Sequence, residues 1–359
     1  MIVNDFAKEV NQTRSRELLD ALRTVLELQD EIKEFIGSHP VTLSQEAIEY
    51  LLNEDYLVCE KTDGIRVMLF VFEGFIYFYD RKNRFYQTDL LFNAPYIFLF
   101  DGEMYLEKGR NDKYIFSMFD CLIYDSRSRI HSDLNKRLWY CFQFEKIVQK
   151  GFIKRKNDSI LKSFYIAGKP MYKSYSFPQI LDSISKLLHE NDGLIFTPVN
   201  EPYLLCARSK IFKWKPPHLN TIDFLIKKTI NSGILSLFCN VSGQQMDILE
   251  KMNFRDTFVF FDFYFTDDET IDLDNKIGEF TFDFEKEVIN IDDLTLQTGG
   301  WCLHRIRSDK NTPNNIKIVL DTFDSLKESV KEEDLKKHQE QMMKAYKERA
   351  SSQTIVSDK

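Results

Sequence analysis

The chain has 359 residues, 43% of them hydrophobic and 29% charged, and a formal net charge of −8. That length suits two domains and that composition a soluble globular protein; no apolar run approaches the roughly 20 residues that cross a bilayer, so no membrane span is expected. A net acidic chain lacks the basic face that extended duplex binding depends on, which leaves room only for a local basic pocket.

Met1 to Val10 has no apolar block and does not read as a signal peptide. The six cysteines (Cys59, Cys121, Cys141, Cys206, Cys239, Cys302) stand singly among apolar residues without a C-x-x-C pair. Buried thiols in a reducing compartment are expected, and structural zinc is not.

Asn11 to Ile36 reads as a long amphipathic helix, with Leu18, Leu22, Val25 and Leu26 near one face. Ser44 then caps a short helix to Leu52. From Asp55 the period changes to two. Tyr56–Glu60, Ile65–Phe72, Phe75–Asp80, Tyr96–Phe100 and Tyr114–Leu122 are aromatic and β-branched runs parted by turn signals. Helices are predicted at Asp133–Gln149 and Pro178–His189, and strands at Gly193–Thr197 and Ile211–Trp214. After Pro216-Pro217 the stretch from Thr221 to about Asn311 is strand-rich (Phe258–Phe265, Ile271–Leu273, Gly278–Phe284) and suits a small five-stranded barrel. Pro313 opens a helix over Asn315–Ser329. Lys331–Arg349 is charged nearly throughout, with a weak Leu335/Met342/Met343/Tyr346 stripe, and is expected to be a solvated helical or frayed tail.

Chemistry concentrates in a few short strings. Lys61-Thr62-Asp63-Gly64-Ile65-Arg66 sits between two predicted strands. Asp-Gly is a common hairpin turn, so the string alone is open to that reading. The alternative is a lysine at a strand end aimed into a pocket, with Arg66 among the nearby cations that would activate it. Asp101-Gly102-Glu103 and Asp192-Gly193 repeat the dipeptide beside strands, where carboxylates can hold hydroxyls or a divalent ion. In Lys213-Trp214-Lys215 a strand would turn both lysines to one side and the indole to the other. Alternation likewise puts Arg305, Arg307 and Asp309 on one face, next to Lys310. Solvent-facing strand charges explain either cluster taken alone.

Taken together and in this order, with Tyr114…Phe119-Asp120 between the second and third, these strings resemble the covalent nucleotidyltransferases, the superfamily of capping enzymes and polynucleotide ligases. Details are similar to the mRNA guanylyltransferase branch in its fungal, monofunctional form. They are Phe212-Lys213-Trp214-Lys215-Pro216-Pro217 with Asn220-Thr221-Ile222-Asp223, Asp192 to Tyr203, and Arg307-Ser308-Asp309-Lys310 with Pro313-Asn314. The resemblance implies an α+β fold: a nucleotidyltransferase domain of antiparallel sheets flanked by helices, followed by an OB-fold β-barrel. The domains would be 1–220 and 221–312, with a helix at 313–330 packing back on the first and a charged tail at 331–359.

The same resemblance implies roles. Lys61 would form a phosphoramidate with GMP. Thr62, Asp63 and Gly64 complete its motif. Arg66 and Arg81 would hold ribose or phosphate, Glu103 the ribose, Phe119 the guanine ring, and Lys169 the base or a phosphate. Asp192 would serve metal-dependent chemistry with Mg²⁺ or Mn²⁺. Lys213 and Lys215 would bind phosphates, and Arg305, Arg307, Asp309 and Lys310 would close over the triphosphate of GTP. The acceptor would be a 5′-diphosphate RNA end. No His precedes any cysteine in the H-C-x₅-R pattern, so a separate RNA triphosphatase is expected. The family's recruiter is the phosphorylated C-terminal domain of RNA polymerase II, and its place is the nucleus. An ATP-dependent polynucleotide ligase and a catalytically inactive nucleotide-binding subunit are the rival readings.

Overall fold

The computed structural model describes residues 3–110, 113–155, 161–216, 219–228, 234–247, 263–264, 273–289, 296–327 and 329–357. The chain divides into two units, the first made of residues 1–214 and 332–359 and the second of residues 215–331.

In chain order the first unit contains β1 (Ala7–Glu9), α1 (Gln12–Val25), β2 (His39–Thr42), α2 (Ile48–Asn53), β3 (Tyr56–Thr62), β4 (Ile65–Phe72), β5 (Phe75–Asp80), β6 (Phe85–Phe92) and β7 (Phe98–Leu106). Next come β8 (Tyr114–Tyr124), β9 (Arg127–Ser128), α3 (Leu134–Ile147), β10 (Ile153–Arg155), β11 (Phe164–Gly168), β12 (Tyr172–Lys173), α4 (Phe177–Ser183), β13 (Asn191–Pro198) and β14 (Arg208–Trp214). One sheet runs β1-β6-β5-β4-β7-β8-β11, with β10 on β6 and β9 on β8; the other runs β12-β3-β13-β14-β2. Pairing is antiparallel as expected, except for β11 on β8 and β2 on β14. The alternating aromatic runs bury one face of the larger sheet (Phe78, Phe100, Phe116) under Phe144 of α3, and the other (Phe70, Tyr79, Phe85) under Leu18 and Leu22 of α1.

The predicted first helix ends eleven residues early, at Val25 rather than Ile36. Glu27 takes φ 58°, and the amides of Glu27 and Leu28 turn back to the carbonyls of Thr24 and Arg23, the hydrogen-bond pattern of a left-handed helix stop. Phe35 and Ile36 still reach the same core, which is why the apolar pattern outran the helix. β6 escaped prediction because Gln87, Thr88 and Asp89 interrupt its alternation. The Asp101-Gly102-Glu103 string lies inside β7, not at its end, since pairing with β8 continues through Leu106.

The second unit holds β15 (Ile222–Lys228), β16 (Ile234–Val241), β17 (Gln244–Asp247), β18 (Phe263–Tyr264), β19 (Ile277–Ile289), β20 (Leu296–Ile306) and α5 (Ile316–Lys327). Its antiparallel sheet runs β17-β16-β15-β19-β20, with β18 on β16. The predicted strand Gly278–Phe284 falls within β19. Most of Phe258–Phe265 and the first two residues of Ile271–Leu273 lie outside the described residues, and the described pairing does not include closure into a barrel. The helix expected to pack on the first unit belongs instead to the second. Val319, Phe323 and Leu326 join Phe224, Phe280, Phe282 and Trp301 in one core, because the apolar face of α5 matches that sheet.

The charged tail is helical and most of its charged side chains face solvent, but its sparse apolar stripe is docked. It forms α6 (Glu332–Lys337) and α7 (Gln339–Ser357) and returns to the first unit. Leu335 and Met342 are fully buried, and the Tyr346 ring lies 5.5 Å from Tyr175 and beneath Lys173. Arg349 donates to Asp55 and to the carbonyls of Leu52 and Glu54 at the end of α2.

Candidate active site

A cleft of about 780 Å³, its open mouth included, lies in the first unit. The smaller sheet contributes Cys59, Glu60, Lys61, Thr62, Ile195, Thr197 and Ile211; the larger contributes Arg66, Glu103 and Phe119, with Arg81 on the turn after β5. Lys169 lines it too, bonded to Glu60 and Thr62.

Two β-bulges aim the central side chains. Thr62 pairs with Asn191 and Glu60 with Leu194, so Asp192 and Gly193 together face the single residue Lys61. A bulge of this kind bends the strand and redirects a side chain. Gly193 has φ 139°, where a side chain is strained, and its amide and carbonyl are both held by the side chain of Asn191. The result is an ion pair, Lys61 Nζ to Asp192 Oδ1, at 2.6 Å. On β8, Met118 pairs with Gly102 and Asp120 with Asp101, which leaves Phe119 as the extra residue that turns into the cleft. Gly64 is required by close approach: a Cβ there would meet the Met104 carbonyl oxygen at 2.3 Å.

The electrostatics sort the neighbours by task. Arg66 is bound on all three nitrogens, by both oxygens of fully buried Asp101 and by the Ser38 carbonyl. Its guanidinium carbon sits 5.6 Å from the centre of the Phe119 ring. Tyr203 donates its hydroxyl to the same Asp101. Glu103 is Arg66's cross-strand partner, and burial pushes its carboxyl up to about 7 against the pull of Lys61, Arg66, Lys169 and Arg81. Lys169 is 4% exposed and bonds to Glu60 and to the Thr62 hydroxyl. Burial raises the Cys59 thiol to about 12, so Cys59 stays protonated.

Other expected site residues lie elsewhere. The Asp63 side chain is exposed and does not line the cleft; its amide donates to the Glu190 carbonyl. Lys213 pairs with Ile195, a cleft residue, and so shares that face of the sheet, while Trp214 is 1% exposed as expected. Lys215 follows the end of β14, so strand alternation no longer sets its direction. In the second unit β20 stops at Ile306, which places Arg307, Asp309 and Lys310 on the turn after the strand and not along one face of it. Arg307 chelates Asp309 and reaches Asp223; Lys310 also bonds to Asp223, and Arg305 to Glu279. Asn314 clamps the main chain of Asp223 through two hydrogen bonds.

Glu60, Asp101, His189, Asp223 and Glu279 were not singled out from sequence as site residues. Only Asp101 and Asp223 lay inside strings already recognised. The others are charges beside strand ends, a pattern shared with many solvated residues.

Fold and cleft together fit a nucleotidyltransferase. The chain belongs to the mRNA capping enzyme family: residues 3–217 match the model of the mRNA capping enzyme catalytic domain and residues 219–336 that of the C-terminal domain. The activity of that family is guanylyl transfer to RNA 5′ ends. The chain is 29% identical to the mRNA-capping enzyme subunit alpha of Schizosaccharomyces pombe, over 87% of this chain and 81% of that protein. It is 28% identical to the protein of the same name in Saccharomyces cerevisiae, over 84% of this chain and 78% of that one. Among solved structures, a mycobacterial DNA ligase D complexed with ATP and MES aligns over 77% of this chain and 95% of that one, with a TM-score of 0.39 and 14% identity.

Proposed function

We propose that Lys61 carries the guanylyl group between GTP and RNA. The observation that carries this reading is the lysine paired with Asp192 at the bulge and lining a cleft with Glu103, Arg66 and Phe119. The amine attacks the α-phosphorus. An N–P bond forms, the bond to pyrophosphate breaks, and the amine sheds its protons to solvent. The terminal phosphate of a 5′-diphosphate RNA then attacks the lysyl-GMP, the N–P bond breaks, and Lys61 recovers its protons. Two easier steps replace one encounter between polyanions.

Phe119 would stack on the guanine, Glu103 would accept from the ribose, and Arg66 and Arg81 would steady ribose or phosphate. Lys213 and Lys215, with Arg305, Arg307, Asp309 and Lys310, would bind the triphosphate, where fixed positive charge is the main catalytic aid to phosphoryl transfer. Asp192 is the residue proposed to hold Mg²⁺ or Mn²⁺. One carboxylate suits such an ion, which takes most of its other ligands from phosphates and water, and no cluster of three or more His, Cys, Asp or Glu converges among the described residues. When bound, the ion would offset charge on the triphosphate. A separate triphosphatase, the phosphorylated polymerase tail and a nuclear site of action complete the proposal. Relatives named subunit alpha support a second subunit.

The test is incubation with labelled GTP or ATP, followed by analysis for an acid-labile protein adduct. Labelling by GTP is expected. Equal labelling by ATP would favour the ligase reading, and no labelling would favour an inactive subunit.

A further inference from the structure

Glu60 lines the cleft, and His189 stands behind it in the wall of a neighbouring pocket that Glu60 and Lys169 also line. His189 is 8% exposed, and its ring lies 4.6 Å from that of Tyr105. Its Nδ1 is 3.0 Å from the Glu190 carbonyl oxygen and its Nε2 is 3.2 Å from Glu60 Oε1. Both partners are acceptors. A proton on Nε2 lets the ring donate to Glu60. Glu60 thus stands between the His189 ring, at 3.2 Å, and the Lys169 ammonium, at 2.7 Å. Burial opposes its ionisation, but the bonds from His189 and Lys169 prevail and hold its carboxyl at about 2.

The consequence falls on Thr62. Its hydroxyl donates to Glu60 at 3.2 Å and accepts from Lys169. A hydroxyl has one proton and two lone pairs, so Thr62 can offer a ligand only an acceptor. An ammonium has three donors; Glu60 and Thr62 take two, which leaves Lys169 one to offer. The wall therefore presents one donor beside one acceptor. Guanine's edge presents the complement, with O6 accepting and N1–H and N2–H₂ donating. Adenine presents the reverse at those positions.

We propose that Glu60 and His189 are positioning residues that fix the direction of the Thr62 hydroxyl and the Lys169 ammonium, and thereby make the cleft select guanine over adenine. This rests on the reading that the wall formed by Thr62 and Lys169 receives the base. His189 anchors Glu60 from behind, Glu60 takes the Thr62 proton, and the remaining lone pair is the selective feature. Neither residue touches the reacting phosphorus.

The experiment measures adduct formation from labelled GTP and ATP across concentrations in wild type, Glu60→Gln, His189→Leu, His189→Gln, Thr62→Val and Thr62→Ser, with thermal midpoints alongside. The GTP-to-ATP ratio is expected to fall at least about tenfold in Glu60→Gln and Thr62→Val, mainly through weaker GTP binding and not a slower step at saturation. His189→Leu should share part of that loss. His189→Gln, which keeps a donor for Glu60, and Thr62→Ser, which keeps the hydroxyl, should recover most of it. An unchanged ratio in folded Glu60→Gln overturns the proposal. Should Glu60→Gln not fold, equal ratios in Thr62→Val and Thr62→Ser overturn it. A wild-type protein that labels with GTP but shows no preference over ATP removes base selection itself while leaving Lys61 as the nucleophile.

Discussion

Lys61 and Asp192 are bonded at 2.6 Å because the bulge in β13 sets two residues against one on β3. Only a neutral amine has the lone pair that attacks phosphorus, and such an amine can still donate an N–H to Asp192. Lys61→Arg keeps a cation beside Asp192 but no nucleophile at neutral pH. It should fold with a near-normal thermal midpoint and form no adduct detectable by mass spectrometry. Asp192→Asn should retain the lysine yet lose adduct rate on the order of a hundredfold. Substantial adduct on Lys61→Arg would place the nucleophile elsewhere.

Glu103 gives the free enzyme a pH signature. Its folded carboxyl titrates near 7, above the ordinary value of 4.5. Between those values the folded state holds the proton and the unfolded chain has released it. Glu103's contribution to stability is therefore complete below about pH 4.5 and is lost as pH rises through about 7. Glu103→Gln, neutral at every pH, should flatten that part of the profile in urea titrations between pH 5 and 8. A decline of the same slope in the variant would assign it to another group.

At β14 the two faces predict opposite phenotypes. Trp214→Ala deletes a fully buried indole and should cost about 3–5 kcal/mol of stability. Lys213→Ala should leave the denaturation midpoint nearly unchanged and slow adduct formation. Circular dichroism and labelling on the same samples separate the two; an unfolded Lys213→Ala with an intact Trp214→Ala would invert the faces.

Legibility from sequence was uneven, for physical reasons. Lys61, Glu103, Phe119 and Lys169 all line one cleft; short motifs pointed to Lys61 and Glu103, whereas Phe119 turns in at a bulge and Lys169 follows the end of β11. Asp192 was placed at a strand end, but the bulge that directs it depends on register with β3, which no single segment encodes. Arg66 was expected to face ligand; its engagement by Asp101 depends on pairing β4 with β7. The tail's helices and its Leu335 and Met342 stripe were legible, but its docking was not, because that stripe is sparse amid charged neighbours.

The second unit's cations are held by its own acids, Arg307 and Lys310 by Asp223 and Arg305 by Glu279. If they serve the β- and γ-phosphates, they matter only until pyrophosphate leaves. Arg307→Ala and Lys310→Ala should impair formation of lysyl-GMP and spare its transfer to diphosphate-ended RNA. Single-turnover transfer from isolated intermediate measures the second step; equal loss in both steps would make the cluster structural.

Arg349 caps α2 from the far end of the chain, with bonds to Asp55 and to the carbonyls of Leu52 and Glu54. Arg349→Ala should lower the stability of the first unit by about 1–3 kcal/mol. Hydrogen exchange should show the loss at residues 48–55 before it shows elsewhere. Exchange unchanged there would mean that α7 only rests on the surface.

The return of residues 332–359 to the first unit makes the second a long insertion within it. A fragment ending near Pro216 would therefore be an incomplete catalytic unit, with the seats of Leu335 and Met342 bare. Conversely, a nick anywhere in the insertion leaves both pieces of that unit able to find each other. The enzyme is thus suited to splitting: two separately expressed halves, cut inside the insertion, should reassemble by docking α7, and the yield of lysyl-GMP would report their association.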